Sequence, residues 1–147
     1  MIEKIQSNLY QLTYDVPFPG TPPVNAWLVT ADRPFLIDCG PGDSKTFENF
    51  QADLRTLNLA LSDLETILIT HHHIDHMGQA SRLAQIANIP VYMHRDEIPH
   101  ALRNDSEFIA FGDGLRQACE FWGTSQSAVV KMRESLSAIF HLAGPPI

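Results

Sequence analysis

His71, His73, Asp75 and His76 fall within one short run, Thr70-His71-His72-His73-Ile74-Asp75-His76, directly behind the apolar residues Ile67-Leu68-Ile69. Along an extended backbone side chains alternate between faces, so His71, His73 and Asp75 project to one side while His72 and Ile74 point to the other. If the chain turns into a helix at about Asp75, the alternation stops and His76 returns toward the same space, which makes a two-metal cradle geometrically feasible. Neutral imidazole and carboxylate oxygen suit a divalent ion of borderline softness, zinc first, with iron or manganese also acceptable to this donor set. Such an ion is a Lewis acid that lowers the pKa of a bound water, so the chemistry implied is hydrolysis. The plainer reading makes Asp75 the N-cap of the following helix and the histidines a solvated strand end. The two readings are compatible, because one carboxylate oxygen can cap while the other ligates.

Several elements must hold this run in place. Strands are expected at Leu9–Tyr14, Val24–Thr30 and Phe35–Asp38, with Asp32-Arg33-Pro34 turning between the last two, so the chain opens as a β-meander. Asp43 or Ser44 then caps a helix whose Phe47, Phe50, Leu54 and Leu57 recur at three- and four-residue steps, giving one buried stripe. The loop 59–64 leads to a strand at Thr66–Thr70. A helix over Met77–Ala87 presents Ala80, Leu83, Ala84 and Ala87 to the sheet, ends near Asn88 and hands over to a strand at Pro90–Met93. Strand, helix, strand in this order predicts a parallel crossover. Beyond Pro99 the aromatic-rich stretch Phe108, Phe111, Leu115, Phe121 and Trp122 and the stripe Val129, Met132, Leu136, Ile139 and Phe140 predict two helices packing on the sheet as core.

Thr70-His71-x-His73-x-Asp75-His76-x-Gly78 resembles the H-x-H-x-D-H signature of the metallo-β-lactamase-fold hydrolases. The likeness extends to Val24-Asn25-Ala26-Trp27-Leu28-Val29, to Phe35-Leu36-Ile37-Asp38-Cys39-Gly40-Pro41-Gly42 and to Pro90-Val91-Tyr92-Met93-His94. It implies an α/β (α+β) fold, the N-terminal half of an αβ/βα four-layer sandwich over residues 1–98, followed by a C-terminal helical segment at 99–147 that serves as an insert or lid. It also implies roles: His71 and His73 as two of the three histidines at a first metal, Asp75 with His76 at a second, and two zinc ions in the complete domain. Asp38 corresponds to an acidic residue beneath the metals that orients a ligating imidazole through its other ring nitrogen; an ordinary turn aspartate before Gly40 and Gly42 is the alternative.

Complete members carry a third histidine at the first metal, a bridging carboxylate and a last histidine in a C-terminal half, whereas the sequence in hand runs to Ile147. His94, His100 and His141 are the remaining candidates, and His141 is equally explained as a helix-terminal histidine attracted by the dipole. The expectation is therefore an N-terminal part of a hydrolase, under-coordinated by itself, whose sheet leaves one face for a homodimer partner or for a missing C-terminal half. Within this fold the helical segment would line an apolar pocket as a lid, and Phe18 in the proline-stiffened loop 16–23 would border the substrate; the prolines alternatively only block edge pairing.

The formal net charge of −7, with 10 Lys and Arg residues and no basic run, argues against a nucleic-acid substrate and for a small molecule. Cys39 and Cys119 are too few for a disulfide framework, and Cys39 reads as a small buried hydrophobe. No apolar leader or membrane-length run is present, so a cytoplasmic setting without membrane contact is expected. The function expected is hydrolysis of an ester, thioester, lactone, amide or phosphodiester by a metal-activated hydroxide, with Asp75 essential to catalysis. A mononuclear iron oxidoreductase of the same fold, or a non-catalytic half-domain acting through a partner chain, are the alternatives; the di-iron branch places a glutamate where His73 stands.

Overall fold

The computed structural model describes residues 1–17, 20–102, 113, 114, 116–119, 121–131 and 134. One sheet runs through them in the order β1 (Ile2–Gln6), β2 (Leu9–Tyr14), β3 (Val24–Val29), β4 (Phe35–Ile37), β5 (Thr66–Ile69) and β6 (Val91–Met93), each strand lying beside its predecessor in sequence. The first four are antiparallel: β2, β3 and β4 are the meander that the sequence predicts, with β1 added at its edge; β4, β5 and β6 are parallel. Parallel neighbours need a crossover, supplied by helix α1 (Ser44–Thr56) between β4 and β5 and by α2 (Ile74–Met77) with α3 (Ala80–Ala87) between β5 and β6. A short helix, α4 (Ile98–Ala101), follows β6, and among the described residues beyond it 116–119 and 126–131 are helical. The arrangement is mixed α/β, as expected.

Register separates two faces. Tyr10, Leu28, Leu36, Ile67 and Val91 stand side by side across five strands on one face. Leu28, Leu36 and Ile67 in that row are wholly buried, and with Leu12, Tyr14 and Ala26 they form the core against Phe47, Phe50 and Leu54 of α1 and Leu83 of α3. The neighbouring register puts Gln11, Trp27, Ile37, Leu68 and Tyr92 in a row on the opposite face, where Tyr92 is 59% exposed.

Asp43 starts α1 as expected: its carboxylate accepts from the Thr46 N–H at 3.0 Å and from the Thr46 hydroxyl at 2.6 Å. The Arg82 guanidinium of α3 lies 3.6 Å from the centre of the Phe47 ring, joining the two crossovers by a cation–π contact. Asn88 ends α3 in the left-handed conformation, a role asparagine tolerates.

Two expectations need correction. The helix expected over Met77–Ala87 begins at Ile74, with His73 rather than Asp75 at the N-cap, and is broken at Gly78 and Gln79. Gly78 stands at the break, where a Cβ would lie 2.4 Å from both the Gly42 nitrogen and the Ile74 oxygen, so only glycine lets the chain pass this close to the Pro41–Gly42 backbone. Phe121 and Trp122, expected in the core, are 86% and 75% exposed, whereas Val129 is buried. Phe18, Phe108, Phe111, Leu115, Met132, Leu136, Ile139, Phe140 and His141 lie outside the described residues.

Candidate metal centre

Asp38 organises the polar cluster at the ends of the parallel strands. Just past β4 it adopts a left-handed backbone, φ 55°, which costs a non-glycine residue on the order of 1 kcal/mol and is least unfavourable for Asp and Asn. Its side chain is buried and accepts from the Thr70 N–H at 2.8 Å, from the Thr70 hydroxyl at 2.8 and 3.0 Å, and from His76 Nδ1 at 2.9 Å. A carboxylate only accepts, so His76 carries a proton on Nδ1, and in the neutral ring Nε2 keeps a lone pair. Thr70, having given its proton to Asp38, faces His71 Nδ1 at 3.0 Å with lone pairs, which likewise leaves His71 Nε2 free to donate electrons. Both tautomers are those of ligating histidines held from behind.

The imidazoles gather in front of Asp38. Ring centres of His71 and His76 are 4.2 Å apart and those of His71 and His73 4.6 Å, while His76 Nε2 faces Asp75 Oδ2 at 3.9 Å, beyond hydrogen-bond reach. Burial, then the neighbouring His76 and His73 rings, lowers the His71 pKa below its ordinary value and favours the neutral ring. Among the described residues, no three His, Cys, Asp or Glu side chains close around a single point as an ion requires. The donor chemistry fits a divalent ion; closure needs side-chain rotation or donors from elsewhere.

His72, expected to face the other way from an extended strand, lies in a bend, and its ring sits edge-on to that of His73 with centres 5.0 Å apart. Its ring Nδ1 lies 2.6 Å and its backbone N–H 2.9 Å from Glu97 Oε2, and these bonds, the ring first, hold the Glu97 carboxyl below the usual carboxylate range. His94 is surface-exposed beside Asp96, and the His100 ring lies near that of His72, with centres 4.9 Å apart. Cys39 is buried and free, and burial pushes its thiol pKa far up, so it is the inert small hydrophobe expected. Its backbone N–H donates to the His76 carbonyl at 2.7 Å, and its carbonyl accepts from the buried Gln79 amide at 2.5 Å, tying α2 to the end of β4.

Sequence reasoning assigns no role to Thr70, Gln79 or Glu97. Thr70 is visible as a hydroxyl abutting the motif; Gln79 and Glu97 act on residues 40 and 25 positions away and leave no local signal.

The chain belongs to the metallo-beta-lactamase superfamily, whose family model matches residues 19–146. It is 28% identical over 101 residues to a probable metallo-hydrolase of Bacillus subtilis, YybB, covering 67% of this chain and 43% of that protein. It is 42% identical over 72 residues to the hydroxyacylglutathione hydrolase of Alkalilimnicola ehrlichii, covering 48% and 26%. Among solved structures, a metallo-beta-lactamase family protein of Thermus thermophilus superposes with a TM-score of 0.69 at 28% identity, over 98% of this chain and 45% of that one. The chain thus spans less than half the length of these relatives. Members of the superfamily are generally hydrolases and the fold implies divalent-metal binding. Among the described residues no helix is long and apolar enough to cross a membrane.

Proposed function

We propose that this chain carries the motif half of a metal-dependent hydrolase in which His71, His73, Asp75 and His76 hold the metal and Asp38 orients His76. The observation that carries the reading is the Asp38 hub: one buried carboxylate sets the Nε2 lone pair of His76 directly and that of His71 through Thr70. A divalent ion bound there, zinc before iron or manganese, supplies Lewis acidity and lowers the pKa of a bound water. The chain's own part is to present neutral imidazoles, to keep their proton-bearing nitrogens turned toward Asp38 and Thr70, and to place the Asp75 carboxylate beside His76. The remaining donors belong to the further length seen in the relatives. The substrate is a small molecule with an ester-like bond, and the similarity to a hydroxyacylglutathione hydrolase puts thioesters first, ahead of esters and lactones.

Elemental analysis of the longer protein, with hydrolysis of a thioester panel before and after chelation, tests this. Zinc at stoichiometric level and chelator-sensitive turnover that Asp75→Ala abolishes are expected. Full turnover in Asp75→Ala would remove that residue from the site, and stoichiometric iron with oxygen consumption would favour an oxygenase of the same fold.

A further inference from the structure

Between the last residue of β5 and the first turn of α2, the chain passes through Thr70, His71, His72 and His73 as a bend. Two backbone N–H groups in this bend are taken by carboxylates from flanking strand ends: Thr70 by Asp38, just past β4, and His72 by Glu97, past β6. β4 and β6 flank β5 on either side. The bend is therefore pegged from both sides, with His71 between the two pegs. Glu97 does more than accept the backbone proton. The same oxygen takes His72 Nδ1 at 2.6 Å, which fixes the His72 ring, and that ring meets His73 edge-on, with centres 5.0 Å apart and planes at 86°.

We propose that Glu97 is a positioning residue for the metal ligands: by clamping His72 through backbone and ring it sets the direction of His71 and gives the His73 ring a wall to rest on. This rests on the metal-binding reading above. Glu97 is proposed to touch neither the ion nor the substrate; it acts through His72, whose ring it holds edge-on against His73. The arrangement gives a role to a non-ligating histidine in the middle of the motif, since its backbone N–H and its ring both meet the acceptor that follows β6. Outer partners of this kind alter metal affinity by roughly tenfold to a hundredfold when removed.

Cobalt titration of the longer protein followed by absorbance, with amide hydrogen exchange at His72 on the same samples, decides the matter. Glu97→Ala is expected to weaken cobalt binding by roughly tenfold or more and to abolish protection of the His72 N–H. Glu97→Gln keeps an acceptor oxygen and should restore most of both. His72→Phe keeps the backbone bond but loses the ring bond that fixes the wall, and should fall between the parent and Glu97→Ala. Leu83→Ala, a core change, controls for general destabilisation: it should lower Tm while leaving cobalt affinity at low temperature within about twofold. Parental affinity together with parental His72 protection in Glu97→Ala would overturn the inference. Should the parent itself take up no cobalt, the metal-binding reading falls, and the exchange result alone then judges the clamp: unchanged protection in Glu97→Ala overturns it.

Discussion

A single oxygen-for-nitrogen exchange at Asp38 separates its electrostatic role from its backbone role. Three hydrogens point at its carboxylate, from the Thr70 N–H, the Thr70 hydroxyl and His76 Nδ1. Asparagine tolerates the same left-handed φ but offers one acceptor oxygen. With that oxygen kept by Thr70, the new NH₂ faces His76 and drives the imidazole proton to Nε2, blocking the lone pair. Asp38→Asn is expected to fold, to show the switched His76 tautomer by nitrogen NMR, and to lose at least roughly tenfold in cobalt affinity; an unchanged tautomer would disprove the hub. Asp53 supplies a pH-dependent case remote from the cluster. Burial raises its pKa, only partly offset by the N-terminal ammonium 3.8 Å away. A raised carboxyl pKa stabilises the fold fully only below the unfolded value of about 3.9, and that contribution is lost as pH rises through the folded value. Asp53→Asn should therefore match the parent in thermal melts near about pH 3.5 and exceed it at about pH 7.

At the scale of elements, Gly78 is the sharpest test. Its φ of −56° is open to any residue, so Gly78→Ala meets no torsional objection and fails only by collision with the Gly42 backbone and the Ile74 carbonyl. Overpacking against immovable backbone costs about 3 kcal/mol, roughly 10 °C in a chain of this size, and differential scanning calorimetry would show it. This collision also marks where sequence reading ran out. The strand β2, the start of α1 and the parallel β5–β6 pair were legible because alternation, an N-cap and a three–four stripe are local patterns. β1 went unread because Ile2–Gln6 shows no apolar alternation and is mostly exposed, as an edge strand is. The early start of α2 was hidden because His73 caps it without a side-chain bond, leaving none of the usual Ser, Thr or Asp signature. In the cluster itself the ligand candidates were readable as a motif, while the Glu97 peg depends on strands meeting in space.

For the whole molecule, the row Trp27, Ile37, Leu68 and Tyr92 is apolar and in register across four strands. At its β6 end it adjoins a cavity of about 230 Å³ lined by Val91, Tyr92, Met93, Ile98, Ala101 and Leu102. We propose this face as the seat of a second copy of this chain, the homodimer expected from the sequence. The 147-residue chain should self-associate in sedimentation velocity, and Leu68→Thr with Tyr92→Thr should reduce it; a strict monomer across concentrations would dismiss the surface.

Strand order and sequence order coincide throughout the sheet, from β1 to β6. During synthesis each strand leaving the ribosome finds its docking edge already laid down, so the sheet can grow in one direction without waiting for distant chain. The hub at Asp38 and Thr70 can be assembled before Glu97 emerges from the ribosome, so one peg of the bend is set while the other is still to come.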